Sequence, residues 1–185
     1  MIKDMVLETS RLVIKPYRAS DLLEAFQLMQ DKELFTYLPM DVMSLDDYTD
    51  VFNWLIGCYE ISHTENWFKY SFVITDKETG SHIGWCGFGS LDFNHNVTEI
   101  FYLIGKHHWG CGYATEAIEG LMKYCFDELG LEKLSAVVKP DNIASKRIIE
   151  KLGFHYEFTV ADLPEEFDFY NGELFYSIRS ISDGA

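Results

Sequence analysis

The sequence has few prolines, few basic residues and no long apolar run, and each shortage excludes a class of protein. Four prolines in 185 residues leave no room for a proline-rich linker. Fifteen lysines and arginines stand against 30 aspartates and glutamates, so the formal net charge is -15. A nucleic-acid binder needs a basic face, and this balance argues against one. No apolar run approaches the length of a membrane span, which argues against a membrane protein.

The cysteines are also few, and they lack the spacing of a metal or redox motif. They are Cys58, Cys86, Cys111 and Cys125. Scattered cysteines in a domain of this size are typical of a reducing compartment, and the first residues contain no apolar stretch of signal-peptide length. We therefore expect a cytoplasmic protein. We expect no metal site, because His107, His108 and Cys111 lack a second ligand pair.

What remains is the composition of one globular domain, rich in acidic and aromatic residues. Residues 1–185 are enough for a single domain with its own core. The negative charge suits a cationic partner through electrostatic steering, although acidic residues also serve simply to keep a protein soluble. The chain contains 14 Phe, 11 Tyr and 4 Trp, an aromatic excess that leaves room for a dimer interface. Either a monomer or a homodimer is expected.

Apolar periodicity predicts alternating strands and helices without a repeat or a domain boundary. A strand is predicted at 12–14, and helices are predicted to begin near Ser20 and Ser44. A β-meander is predicted next, with strands at 68–75, 82–91 and 97–104. The remaining predicted elements are a helix at 114–129, a strand at 134–138, a helix at 143–152 and strands at 154–160 and 173–181. This order indicates a mixed α/β fold.

The segment WGCGYATEA at residues 109–117 has the clearest chemical signal. It joins a predicted strand to the long helix, and its glycines Gly110 and Gly112 permit unusual backbone angles and close approach of a ligand. The start of a helix presents N–H groups without intrahelical partners, which suit a pyrophosphate. The segment matches neither a Walker loop nor GxGxxG, so a strand-to-helix turn without a ligand stays an alternative. We call residues 110–114 the glycine turn.

A second segment turns this signal into a family resemblance. NIAS at 142–145 is followed by EKLGF at 150–154. Together with the glycine turn, the span 98–154 resembles the GNAT superfamily of acyl-CoA-dependent N-acyltransferases. The opening LETSRL at 7–12 is similar to the branch of ribosomal-protein N-terminal acetyltransferases. The resemblance implies a central, mostly antiparallel sheet, with one parallel pair at the acyl-CoA site and helices on both faces.

The resemblance further implies that acetyl-CoA binds at the glycine turn. Backbone amides there would hold the pyrophosphate, and Asn142 would contact the pantetheine arm, cap a helix, or do both. His107 stands where the family often has Gln or Arg. The residues assigned to acetyl-CoA on this basis are Tyr102, Leu103, His107, Gly110, Cys111, Gly112, Tyr113, Ala114, Thr115 and Asn142.

For the chemistry, the resemblance implies direct attack of a primary amine on the thioester. The amine must first lose a proton, and Glu99 matches a strand position where many family members have a glutamate base. A glutamate on the solvent face of a strand would give the same pattern. Backbone N–H groups near Tyr102 and Leu103 would stabilise the oxyanion. The family's tyrosine acid is replaced by Ile149, so Ser145 or water is left to protonate the leaving thiolate.

The acceptor stays open between a basic protein N-terminus, a polyamine and an aminoglycoside-like amine. Two segments near the expected acceptor site are acidic and aromatic, which favours a cationic amine; solvated surface loops are the alternative. The first contains Phe35, Tyr37, Asp41, Asp46, Asp47 and Tyr48. The second contains Asp162, Glu165, Glu166, Asp168 and Tyr170. A non-catalytic acyl-CoA-binding or partner-binding module with the same fold also stays open.

Overall fold

A computed structural model describes residues 2–180 of the chain. Its strands are β1 (Leu7–Glu8), β2 (Leu12–Pro16), β3 (Lys69–Asp76), β4 (His82–Leu91), β5 (Asn94–Ile104), β6 (Lys133–Val138), β7 (His155–Thr159) and β8 (Leu174–Arg179). Its α-helices are α1 (Leu22–Leu28), α2 (Leu45–Gly57), α3 (Tyr113–Lys123) and α4 (Ile143–Lys151). Between residues 2 and 180 there is no helix with the length and apolarity that a membrane crossing requires.

The strands form one mixed sheet in the order β1-β2-β3-β4-β5-β6-β8-β7. Neighbouring strands are antiparallel except for β5 and β6, which run parallel. Glu99 and Ser135 are the register partners between β5 and β6, whereas β4 and β5 pair along most of their length. The two parallel strands therefore separate toward their carboxyl ends. This arrangement confirms the predicted mostly antiparallel sheet with one parallel pair.

Alternating side chains on the sheet pack against helices on both faces, as predicted. On one face, Phe72, Phe88 and Ile100 belong to a core that includes Ile118 and Leu121 of α3. The opposite face has a second core. It contains Tyr17, Ala25, Phe52, Val73 and Leu103, which brings α1 and α2 onto the sheet. A ligand placed where β5 and β6 separate is thus enclosed by helices from both sides.

The ends of several predicted elements are wrong by a few residues. β5 begins at Asn94 rather than Val97. Leu91 pairs with Asn94, so the turn is shorter than the predicted one at 92–96. The predicted helix at 114–129 is α-helical only to Lys123 and continues as a π-helix over Tyr124–Glu128. Apolar spacing does not separate these two helix types, since both bury one side.

The first and last strands along the chain also differ from the prediction. Strand β1 was not predicted, because two residues are too short to show an alternating pattern. The last predicted strand, at 173–181, corresponds to β8, which ends at Arg179. Ile181 lies outside the described residues.

Candidate active site

A cavity of about 1160 Å³ opens where β5 and β6 separate. Both strand ends line it, at residues 99–104 of β5 and 136–138 of β6. The beginnings of α3 and α4 contribute further walls, and the helical face with α2 closes the opposite side. The cavity therefore connects the glycine turn to the segments in which the sequence places an acceptor.

The backbone of the glycine turn faces this cavity. Gly110 and Gly112 have φ angles of 74° and 80°. This is a left-handed backbone conformation that residues other than glycine rarely adopt. Gly112 is the N-cap of α3, so the N–H groups of the following turn lack intrahelical partners. Gly110, Gly112, Ala114 and Thr115 all line the cavity. The free N–H groups and the positive end of the helix dipole suit an anionic group.

Glu116, in the first helical turn of α3, connects the glycine turn to residues 9–11 near the start of the chain. Its carboxylate accepts hydrogen bonds from the Thr9 hydroxyl at 2.6 Å, the Ser10 hydroxyl at 2.8 Å and Nε of Arg11 at 2.7 Å. Arg11 also donates from Nη1 to the carbonyl of Cys111 at 2.9 Å. The segment that resembles the ribosomal-protein branch thus positions the glycine turn. This role of Glu116 was not predicted from the sequence, although the residue is visible there in the segment 109–117.

Replacement of Glu116 by glutamine is expected to destabilise the fold by about 2–3 kcal/mol at pH 7. Burial by itself would raise the pKa of Glu116, but hydrogen bonds from Thr9, Arg11 and Ser10 lower it to about 2. The unfolded value is about 4.3, so the ionised carboxylate stabilises the fold fully above that pH. The contribution falls as pH drops from 4.3 toward 2, and the difference between the two proteins should be about half as large at pH 3.

Chemical denaturation of the wild type and Glu116→Gln at pH 7 and pH 3 measures this difference. Glu119→Gln is the control, because Glu119 lies on the same helix and its side chain is exposed. We call the contacts of Glu116 with Thr9, Ser10 and Arg11 the clamp. Equal unfolding free energies for the two variants would contradict a stabilising role of the clamp.

Glu99 lies at the point where β5 and β6 part. It is half-buried, and within residues 2–180 its carboxylate accepts no hydrogen bond. Burial is the largest cause and raises the pKa of Glu99. The charge of Lys69 lowers this pKa, whereas the charges of Asp92 and Glu173 raise it further, and the resulting pKa is about 7. A carboxyl group with this pKa is ionised in a large fraction of molecules at neutral pH and still binds a proton readily.

A pair of hydroxyl groups bridges β5 and α4 on the other side of the gap. The hydroxyls of Tyr102 and Ser145 are 2.8 Å apart. Burial raises the pKa of Tyr102 to about 12, so its hydroxyl keeps its proton. Oδ1 of Asn142 accepts the N–H of Ser145 at 3.1 Å and so caps α4, while Asn142 also lines the cavity. Only the backbone of Tyr102 was predicted to take part, and the role of its hydroxyl is visible only in the structure.

Most of the predicted site residues meet at the cavity. Its lining includes Glu99, Tyr102, Leu103, Gly110, Gly112, Ala114, Thr115, Asn142 and Ser145. Three others point elsewhere: His107 is exposed, the Cys111 thiol is 3.6 Å from the Trp109 carbonyl, and the Tyr113 ring lies under the Arg11 guanidinium. His108 lines the cavity in place of its neighbour His107. Among the described residues, no group of three or more His, Cys, Asp or Glu side chains is arranged to hold a metal ion.

The acceptor segments contribute only part of their predicted residues. Phe35, Tyr37, Asp41, Tyr48 and Tyr170 line the cavity. Six acidic residues lie outside its lining: Asp46, Asp47, Asp162, Glu165, Glu166 and Asp168. Asp46 and Asp47 are in the first turn of α2, where acidic residues complement the helix dipole. Local composition predicted the charge of these segments but not the direction of each side chain.

The cavity wall is nevertheless both acidic and aromatic. Five carboxylate residues line it, against two lysines: Glu33, Asp41, Asp92, Glu99 and Glu173, with Lys69 and Lys139. All four tryptophans of the chain also line it: Trp54, Trp67, Trp85 and Trp109. Carboxylates and aromatic faces both attract cations.

Comparison with known proteins places this geometry in context. Residues 11–155 match a family model described as acetyltransferase (GNAT) domain. The chain is 30% identical over 156 residues to the uncharacterised N-acetyltransferase p20 of Bacillus licheniformis, across 84% of this chain and 85% of that one. It is 27% identical over 166 residues to spermidine N(1)-acetyltransferase of Escherichia coli, across 90% and 82% of the two chains. The solved structure of a putative ribosomal-protein-serine acetyltransferase from Vibrio cholerae has a TM-score of 0.78 at 21% identity, with 97% and 100% of the chains covered.

Proposed function

Since the chain belongs to the GNAT acetyltransferase family, we propose that it transfers the acetyl group of acetyl-CoA to a primary amine by direct attack. The observation that carries this proposal is that Glu99, the glycine turn and the Tyr102–Ser145 hydroxyl pair all line one cavity. A base, an anion-binding turn and a proton donor within one space are what this reaction needs.

We assign acetyl-CoA to the part of the cavity between the glycine turn and α4. The left-handed glycines and the unpaired N–H groups of α3 suit its pyrophosphate, which we assign to Gly110–Ala114. The gap between β5 and β6 gives the pantetheine arm a path into the sheet, with Asn142 on its wall. Acetyl-CoA supplies the thioester carbon that the amine attacks.

Glu99 removes the proton of the attacking ammonium group, directly or through one water molecule. The amine nitrogen then forms a bond to the carbonyl carbon. Beyond Glu99, β5 no longer pairs with β6, so the backbone N–H of Tyr102, which points away from β4, is available to the developing oxyanion. The N–H of Leu103 points toward its register partner Trp85 in β4 instead, so Leu103 does not contribute.

After the attack the nitrogen carries one further proton that it must lose. As the C–S bond breaks, we assign donation of a proton to the thiolate to the Tyr102–Ser145 pair, which regains a proton from that nitrogen directly or through water. Ile149 is buried in the core and takes no part.

We assign the acceptor to the cationic primary amines. The support is the excess of carboxylates and tryptophans in the cavity wall. Spermidine N(1)-acetyltransferase of Escherichia coli, to which the chain is similar, is named for a polyamine. The Vibrio cholerae structure is named for a ribosomal protein, which makes a basic protein N-terminus the second candidate acceptor.

Thiol release from acetyl-CoA tests the proposed function. We expect release that depends on an added amine, and a higher kcat/KM for spermidine or a basic N-terminal peptide than for a neutral monoamine of similar length. Acetyl-CoA binding without release for any amine would favour the non-catalytic module. The absence of both binding and release would contradict the proposal.

The acceptor assignment predicts a specific effect of charge reversal at Asp41. Asp41→Lys is expected to raise the KM of a cationic amine about tenfold, because it removes an attractive charge from the wall and adds a repulsive one. The KM of acetyl-CoA should not change. Asp46→Lys is the matched control, since Asp46 lies on the same segment outside the cavity lining. Equal amine KM values for the two variants in steady-state assays would contradict the assignment.

We further propose that the enzyme works in the cytoplasm, as a monomer or a homodimer. The support for this location is that Cys58, Cys86 and Cys125 are buried as free thiols, the form that a reducing compartment maintains.

A further inference from the structure

Lys69 and Glu99 lie in one row across the sheet, with a glycine between them. Lys69 of β3 is the register partner of Gly89 in β4, and Gly89 is the register partner of Glu99 in β5. Register partners in antiparallel strands project their side chains to the same face. Lys69 and Glu99 therefore share a face, and both line the cavity.

Gly89 keeps the space between these two side chains open. Two strand spacings separate Lys69 from Glu99, roughly 10 Å between Cα atoms, which two long side chains can span. A Cβ at Gly89 would lie 2.5 Å from the carbonyl oxygen of Phe68 and 3.1 Å from Cβ of Lys69. A side chain at this position would thus push against β3 and displace the lysine.

The ammonium group of Lys69 is held in place by a short chain of polar contacts. Nζ of Lys69 is 2.8 Å from Oδ1 of Asp92, and the Tyr170 hydroxyl donates to Oδ2 of Asp92 at 2.5 Å. The Lys69 side chain is only 19% exposed, and Nζ also lies 5.4 Å from the centroid of the Phe101 ring. A lysine held this way keeps its charge at a fixed position beside the cavity.

The charges that act on Glu99 come from three separate parts of the chain. Lys69 faces it from β3, Asp92 from the turn between β4 and β5, and Glu173 from the residue before β8. Glu173 is itself paired with Lys139, whose Nζ is 3.0 Å from its carboxylate. Burial is the main factor that raises the pKa of Glu99, and the charge of Lys69 opposes it.

We propose that Lys69 is a positioning residue for the reaction: tethered by Asp92 and Tyr170, it holds a positive charge across Gly89 that increases the ionised fraction of the Glu99 carboxylate at neutral pH. This inference rests on the proposed role of Glu99 as the base. The contact with Asp92 alone does not explain this arrangement, because a partly buried ion pair needs neither the open glycine nor a position in the cavity wall.

The pH dependence of kcat/KM for the amine, at saturating acetyl-CoA, tests this inference. In Lys69→Met the apparent pKa of the acidic limb should rise by about one unit, so that the rate below pH 7 falls about tenfold and recovers near pH 8.5. Lys69→Arg keeps the charge and should keep the wild-type limb. Lys133→Met is the control, because Lys133 also forms a lysine–carboxylate pair, with Glu157 at 2.8 Å, but lies outside the cavity lining.

Lys69→Gln provides a second neutral variant, which keeps a hydrogen-bond donor for Asp92 and so preserves the fold if methionine does not. Suppose that a folded neutral variant of Lys69 keeps the wild-type acidic limb while Glu99→Gln is inactive. This result would overturn the role of Lys69 and leave Glu99 as the base. A Glu99→Gln enzyme with wild-type rates and pH dependence would overturn the base itself, whatever Lys69 does.

Discussion

Glu99→Gln is expected to lower kcat for amine acetylation by about 10²–10⁴-fold, the usual contribution of a general base. Glutamine has nearly the same shape as glutamate but accepts no proton at neutral pH. The Kd of acetyl-CoA should not change, because its pyrophosphate is assigned to the glycine turn and not to Glu99. Steady-state kinetics and calorimetric titration with acetyl-CoA separate the two effects.

The pH dependence of the wild-type rate provides a second test of Glu99 as the base. Burial raises the pKa of Glu99 to about 7, so kcat/KM should rise with pH through that value as the carboxylate loses its proton. The folded pKa exceeds the unfolded value of about 4.3, so the ionised group costs stability as pH rises above that value. Glu99→Gln should therefore melt at the same temperature as the wild type at pH 8, or higher.

A matched control separates the role of Glu99 from a general effect of removing one negative charge. Glu65→Gln serves, because Glu65 is exposed and lies outside the cavity lining. It is expected to keep the wild-type kcat and pH profile. If Glu99→Gln also kept both, Glu99 would be a structural residue and the base would have to be sought elsewhere in the cavity.

Gly112→Glu is expected to raise the Kd of acetyl-CoA at least about 100-fold, equivalent to about 2.7 kcal/mol. Gly112 has a φ of 80°, and a Cβ there would lie 3.5 Å from Nη2 of Arg11. The new side chain would strain the turn and place a carboxylate where the pyrophosphate is assigned. Like charges brought together in this way cost several kcal/mol.

Gly130→Glu is the control for backbone strain. Gly130 also has a left-handed φ, 66°, but a Cβ there meets nothing within 4 Å, and it lies outside the cavity lining. Thermal melting with acetyl-CoA at 100 times its Kd should show about 2.7 kcal/mol of stabilisation in the wild type and in Gly130→Glu. Gly112→Glu should show almost none. Equal stabilisation of both variants would mean that the glycine turn does not hold the pyrophosphate.

Local signals were sufficient to predict most of the fold. Ser44 was expected to start a helix, and its hydroxyl accepts the N–H of Asp47 as an N-cap does. Gly153 was expected to close a helix, and its φ of 89° is the left-handed angle of a helix terminator. These signals act within a few residues, so they are visible in one sequence without knowledge of the partners in space.

The contacts that shape the site depend on strand register and on distant segments. Lys69 is beside Glu99 only because β3 and β5 both align on Gly89, and nothing near Lys69 in the sequence indicates that pairing. The same holds for the Tyr102 hydroxyl, whose partner Ser145 is 43 positions further along the chain. Motifs predicted the glycine turn and Glu99, while the groups that hold and tune them became visible only in three dimensions.

The clamp between Arg11 and Glu116 also has a consequence for how the protein folds. These residues are 105 positions apart, so closing the loop between them carries a large entropy cost that later contacts must repay. Contacts of such long range raise the contact order of a fold and slow its formation. The contacts of the glycine turn and Glu116 with residues 9–11 can form only after α3 has been synthesised. The ability to bind acetyl-CoA would then arise only when both segments have joined one native structure. Cofactor binding would therefore be a late event in the folding of this enzyme.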